Sequence, residues 1–204
     1  MPRNRRGQGG RLRTEILAAA TELLDTSGDE RAVTLRAVAR RAGIAAPSIY
    51  PHFPDRRALV EAVVRQAAAD LTGRFQAVSD GDPRRRLFDL CSAYLEFARA
   101  HPQRYRAMFA GGAGPGAETL RVLTHSLAAC VTAGHCTSDD PAADAFALWL
   151  GLHGLAHQRA VARAFPWPAD IAHRIAIPLS HLIDRPGGNS HDHHRTHRPG
   201  HPHR

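Results

Sequence analysis

The 204-residue chain has no lysine, so all 27 of its strongly basic residues are arginine; this speaks to coding composition more than to chemistry. Cysteine is scarce and odd in number. Cys91, Cys130 and Cys136 form no C-x-x-C pair, which excludes a disulfide framework and leaves buried thiols in a reducing compartment. No apolar run is long enough to cross a bilayer. The basic start has no apolar segment behind it, as a secretory signal would, and the expected location is the cytoplasm. Strand-like alternation and internal repeats are missing too. So are G-x-S-x-G, the Walker loop, G-x-G-x-x-G and H-E-x-x-H, and the reading is of a non-enzyme that needs no cofactor. His153 and His157 share a helix face but have no carboxylate or thiolate beside them in the pattern, so no metal site is assigned.

Apolar residues make up 43% of the chain, enough for a sizeable core, and the Ala and Leu content favours helix. The formal charge is +8. Its distribution matters more than its sum. Residues 1–57 carry 11 Arg against 6 acids, whereas the remaining 147 carry 16 against 13. Basicity therefore concentrates near the N-terminus and points to an anionic partner there.

The organising stretch is 35–53, LRAVARRAGIAAPSIYPHF. Val38 and Ala39 share a face of one short helix, and Gly43 suits the positive φ of a sharp corner. Ile44 and Ile49 then re-enter the same core. This is the spacing of a helix-turn-helix. Around it the pattern predicts helices over 11–27, 35–41, 46–52 and 54–75, with Gly28 as a C-terminal cap and Thr34 as an N-cap. Further helices are expected over 84–100, 103–109, 118–133, 141–164 and 168–183, the last with Pro178 inside it. The predicted fold is all-α. A disordered basic arm (1–10) precedes a DNA-binding head (11–57). A second helical domain (58–183) follows, with the helix after Pro54 as the link and a break at 81–83. The tail, 184–204, is rich in Gly, Pro, Arg and His and is expected to be disordered. Binding of a metal ion by that tail is the alternative functional reading.

Residues 34–59, TLRAVARRAGIAAPSIYPHFPDRRAL, resemble the N-terminal signature of TetR-type transcriptional regulators. The shared elements fall on Thr34, Val38, Ala39, Ala42, Gly43, Ile44, Ile49, Tyr50, His52, Phe53, Arg56 and Leu59. Residues 94–109 and 149–156 are similar to the C-terminal domain of a subgroup with a W-x-x-x-H-G signature. The resemblance implies a homodimeric repressor that grips a palindromic operator in double-stranded DNA and lets go when a small molecule binds, with 58–183 as the ligand-binding and dimerisation domain. Ala45, Ala46 and Pro51 depart from the family pattern at the groove-facing surface, so the operator sequence does not carry over.

On that basis Thr34, Arg36, Tyr50, His52 and Arg56 are assigned to the DNA backbone, and Ala46, Pro47 and Ser48 to the groove. An effector pocket is expected among Tyr94, Tyr105, Met108, Phe109, Leu127, Trp149 and His153. Leu148, Leu152, Leu155, Ile175, Leu179 and Leu182 are expected to pair two copies across a two-fold axis.

Overall fold

The computed structural model describes residues 8–110, 116–162 and 164–183. Among these the fold is helical throughout: eight α-helices and two 3-10 turns. Most of the arm and the whole His-rich tail lie outside the described residues. The arm's last three residues do not: helix α1 spans Gln8–Ser27 and begins before the expected Arg11. Its first turns are held by the Thr14 hydroxyl donating to the Gly10 carbonyl and by an exposed Arg11–Glu15 pair at 2.8 Å.

Gly28, at φ 71°, ends α1, and after a 3-10 turn at Glu30–Ala32 the Thr34 hydroxyl accepts from Ala37 N–H to start α2, Leu35–Ala42. Gly43 takes φ 67°, and Ile44 N–H closes back on the Ala39 carbonyl at 3.0 Å. That left-handed corner is where a side chain would be strained. The next element is a 3-10 turn, Ala46–Ile49, rather than the expected helix over 46–52. Pro47 and Pro51 explain the shortening. Neither has an N–H, and Pro51 cannot bond the carbonyl four residues back. Ile16, Ala20 and Leu24 of α1 enclose Val38, Ala39, Ile49 and Phe53, all nearly inaccessible. Each large side chain in that cluster stabilises the head by about 1.5–3 kcal/mol, and Ile49→Ala alone would cost about 2–5 kcal/mol.

Asp55 caps α3, Arg56–Gln76, by accepting from Ala58 N–H at 2.7 Å. Its apolar residues Leu59, Val63, Ala67, Leu71 and Phe75 recur every fourth position. With 3.6 residues per turn, such a stripe winds around the helix by about 40° per step. Leu59 and Val63 therefore face the head core, while Ala67, Leu71 and Phe75 face a second core. The expected division at 57/58 falls at the first turns of a helix that both units share.

The second core is built by α4 (Pro83–Ala100), α5 (Pro102–Ala110), α6 (Gly116–Thr132), α7 (Pro141–Val161) and α8 (Ile171–Leu179). Proline at the first helical position and a capping aspartate begin both α4 and α7. Asp82 accepts from Arg85 N–H, and Asp140 from the N–H groups of Ala142 and Ala143. Between α4 and α5 lies only His101, because Pro102 starts a new helix instead of extending the old one. α7 and α8 cross closely at Gly151, where a Cβ would sit 2.8 Å from both Ile175 Cγ2 and Leu179 Cδ1.

The last helix is shorter than the 168–183 read from its apolar spacing. Beyond Leu179 the chain leaves the helix, His181 adopting φ 49°, and Leu182 pairs with Cys136 in an isolated antiparallel bridge. Thr137 N–H donates to His181 O and Ile183 N–H to His135 O, both at 3.0 Å. Nothing in the local sequence of either partner marks this long-range closure.

Candidate nucleic-acid interface and effector site

In the head, Arg36, Pro47 and Tyr50 stand exposed, the tyrosine at 56% although Phe53, three residues on, is buried. Ala46, Ser48 and His52 are half-buried beside them. Thr34 uses an oxygen lone pair on Ala37 N–H and still has its hydroxyl hydrogen to offer a phosphate, next to the positive end of α2. Arg56 also makes contacts within the head. Its guanidinium donates to Val33 O (3.1 Å), Glu30 O (2.6 Å) and Glu30 Oε1 (3.0 Å), and so ties the loop before α2 to the start of α3. Its Nη1 has no partner among the described residues, and the side chain is 40% exposed. Arg41 is likewise paired with Glu22 on α1. Arg31, Arg36 and Arg40, by contrast, make no ion pair among the described residues, and all three are exposed.

In the body, three of the expected pocket residues form one hydrogen-bonded cluster. Tyr105 Oη lies 2.6 Å from His153 Nδ1 and 2.9 Å from Tyr94 Oη, which is itself 3.2 Å from the same nitrogen. The shortest of these contacts is satisfied when Tyr105 donates to an unprotonated Nδ1. Burial pushes the Tyr94 hydroxyl up to about 12 and moves Tyr105 upward too. Desolvation, with His157 adding to it, lowers His153 below the usual imidazole range. The cluster is thus neutral at ordinary pH. Phe109 meets His153 edge-on at 4.6 Å, and Trp149 lies 5.4 Å from the same ring. The Trp149 N–H is buried and has no hydrogen-bond partner among the described residues. Tyr94, Met108 and Leu127 are almost wholly buried and pack as core.

One turn further along α4 and α7 the packing opens. A cleft of about 590 Å³ lies between the ends of those helices, the start of α5 and the loop before α8, with Leu95, Ala98, Arg99, Arg159 and Trp167 among its walls. None of the expected pocket residues lines it. Trp167 is fixed in place by its indole N–H donating to Ala162 O at 3.3 Å. Since Pro102 belongs to the cleft, α5 runs directly from it to the head. Two residues on, Arg104 grips Asp25 of α1 through three contacts of 2.5–3.0 Å, with Asp70 of α3 at 3.7 Å.

The residues expected to pair two copies lie mostly inward in the single chain. Leu148, Leu152, Leu155 and Leu182 are at most 6% exposed within the single chain, and Ile175 and Leu179 pack on Gly151. The exposed large apolar residues of α7 are Phe146, Leu150 and Val161. α7 is apolar nearly all the way round between Ala145 and Ala156, so periodicity alone did not say which face turned outward.

Two family models match the chain. Residues 16–63 match the bacterial regulatory proteins of the tetR family, and residues 87–182 the tetracyclin repressor-like C-terminal domain. The chain belongs to the TetR family. TetR-family proteins are transcriptional regulators and not enzymes. The HTH-type transcriptional repressor KstR2 of Rhodococcus jostii is 38% identical over 72 residues, which is 35% of this chain and 34% of that protein. The chain thus matches only about a third of KstR2's length. A protein of unknown function from Rhodococcus sp. RHA1 superposes with a TM-score of 0.73 at 24% identity, over 83% of this chain and 93% of that one. A tetR-family regulatory protein from Rhodococcus RHA1 gives 0.65 at 22% identity, over 84% and 98%. These two likenesses concern the fold alone.

Within the TetR architecture the sequence pattern missed the cleft and the Arg104–Asp25 bridge. Arg99 and Arg159 gave one faint signal, each being a charge in the last turn of its helix. Nothing in the sequence foretells the partnership of Asp25 with Arg104, 79 positions apart. The three cysteines are free and buried, and burial raises Cys91 to about 12 and Cys130 to about 11, far from a reactive thiolate. Among the described residues no cluster of three metal-ligating side chains occurs, and no helix is long and apolar enough to cross a membrane.

Proposed function

We propose that two copies of this chain hold a palindromic operator and repress transcription until a small molecule enters the helical body. The observation that carries this is the head: an exposed Arg36, Pro47 and Tyr50 on a helix-turn-helix whose Arg31, Arg36 and Arg40 lack ion partners among the described residues. Arg36, Tyr50, His52 and the Thr34 end of α2 engage phosphates, which set position. Ala46, Pro47 and Ser48 face the groove. None of these three makes a bidentate base contact, so the sequence preference leans on DNA shape and on Arg36. The 3-10 turn that carries them reinforces this reading, since it offers little more than one turn of side chains. That KstR2 is named a repressor supports the direction of control.

Pairing runs through the outward face of α7, where Phe146, Leu150 and Val161 stand about half or more exposed. An isologous contact there fixes the spacing of the two heads, as two half-sites require. Effector binding reaches the DNA through α5, which begins at the cleft and ends its first turn at the Arg104–Asp25 bridge.

The test is selection of genomic DNA fragments by the purified protein, followed by gel shifts on the fragment recovered. A fragment with an inverted repeat is expected. Affinity for it should fall with salt at a log–log slope of roughly −0.9 per phosphate engaged. Arg36→Ala and Tyr50→Ala should weaken it, and Leu150→Arg should leave a monomer in sedimentation. Recovery of no palindrome, or wild-type shifts from both head variants, overturns the reading.

A further inference from the structure

The cleft beside Trp167 has a composition that states what it holds. Leu95, Ala98 and Pro102 form one apolar side, and Ala156, Ala160 and Trp167 the other. Its volume of about 590 Å³ falls within the range that takes a small organic molecule. Two arginines complete the lining, Arg99 exposed and Arg159 half-buried. Neither has an ion pair or hydrogen bond among the described residues, and no acidic residue lines the cleft. Elsewhere in the body arginines find carboxylates readily, as Arg86 with Asp80, Arg121 with Glu118 and Arg174 with Asp170 show. Two unanswered guanidiniums over an apolar cleft are therefore a local exception.

The backbone must be weighed against them. The C-terminal ends of α4 and α7 come to this place, and each carries roughly half a negative charge. The start of α5 at Pro102 carries roughly half a positive one. Set against two full guanidinium charges, these leave the cleft clearly positive. From this we infer that the cleft binds an anionic amphiphile: a carboxylate held by Arg99 and Arg159, with an acyl or aryl body laid against Leu95, Ala98, Ala156 and Trp167. Arginine's planar fork matches a carboxylate in two parallel hydrogen bonds, whereas a neutral head has only one bond to offer in return.

The inference rests on the reading of the body as an effector-binding unit, and the experiment separates the two. Decanoate, 1-decanol and decyltrimethylammonium are titrated by calorimetry into the full chain, and decanoate is added to the operator complex in gel shifts. Decanoate is expected to bind at least about tenfold more tightly than decanol, and the cation not at all. Shortening the acid should weaken it by up to roughly fourfold per methylene. In the Arg99→Gln/Arg159→Gln double variant the preference for acid over alcohol should shrink to about twofold, with decanol binding unchanged. Ala160→Phe, which fills the cleft, should abolish both. Circular dichroism checks that each variant is folded, and the arginine pair, being at the surface, keeps the test alive if Ala160→Phe is not. Equal affinity for acid, alcohol and cation overturns the inference. So does decanoate binding that the arginine variant leaves intact. Binding with the arginine signature but without release of DNA upholds the cleft and overturns the release mechanism alone.

Discussion

Replacing Arg104 by methionine removes the guanidinium but keeps most of the side chain's apolar stem, so the loss reports the bridge to Asp25 and little of the packing. The two partners are 20% and 30% exposed, between a surface pair and a buried one. Fully exposed pairs contribute about 0–1 kcal/mol. Breaking a buried one by removing a single partner costs about 3–5 kcal/mol. Arg104 donates from both Nε and Nη2 to the Asp25 carboxylate, a two-pronged geometry near the favourable end of its class. A coupling of about 1–2 kcal/mol is therefore expected from a double-mutant cycle of Arg104→Met and Asp25→Asn, read by urea denaturation. Asp70, at 3.7 Å, retains part of the attraction in the Asp25→Asn variant, so Arg104→Met should be the more costly single change. The same cycle read as operator affinity with and without effector should show the ligand's leverage on DNA falling by about tenfold. A coupling within about 0.3 kcal/mol of zero, together with unchanged leverage, would refute the bridge as the link between body and head.

Gly151→Val should destabilise the fold by about 1–3 kcal/mol in urea, because the α7–α8 crossing has no room for a Cβ and Ile175 is stiff at its branch point; an unchanged midpoint would mean that α8 moves aside freely. The pH dependence has a definite sign. His153 and His101 are both held below the ordinary imidazole value by burial, the former with help from His157 and the latter from Arg104. The unfolded chain takes up those protons first. Their neutral forms thus support stability fully above about pH 6.5, and that support is lost as the pH falls below it. Thermal midpoints measured from neutral to mildly acidic pH should decline, with a shallower decline in His153→Gln. Equal slopes in the two proteins would remove His153 from the account.

How legible was all this beforehand? The head could be read almost residue by residue. Short-range chemistry dictates it: a glycine that must turn left-handed, a threonine that caps, apolar positions that meet across one corner. The 3-10 turn was missed although its cause, a proline on each side of Ser48-Ile49-Tyr50, stood in plain view; each proline on its own is tolerated at one end of a short helix. The contacts of Arg56 within the head were hidden for another reason. A guanidinium in the first turn of a helix near DNA suits phosphate, but the carbonyls of Glu30 and Val33 lie more than 20 positions earlier and sequence gives no distance to them. The pocket reading found the Tyr94–Tyr105–His153 cluster through its aromatic spacing. It missed the cleft, because a void is a property of what several helices leave unfilled. The outward face of α7 was hidden on a similar ground. A helix greasy on every side hides its outer face until its neighbours are placed.

The winding stripe on α3 has a mechanical corollary. A 21-residue helix is about 31 Å long, and its two ends are bedded in different cores with the change-over near its middle. That middle is a fulcrum. A tilt of about 5° in the body's half swings the opposite tip by about 1.4 Å, with no bond along the rod needing to break. In a two-fold assembly both tips swing, and the gap between the gripping turns alters by close to 3 Å against a DNA repeat of about 34 Å. Spread over a rigid rod, a displacement too small to disturb either core is large enough to put two heads out of step with one groove.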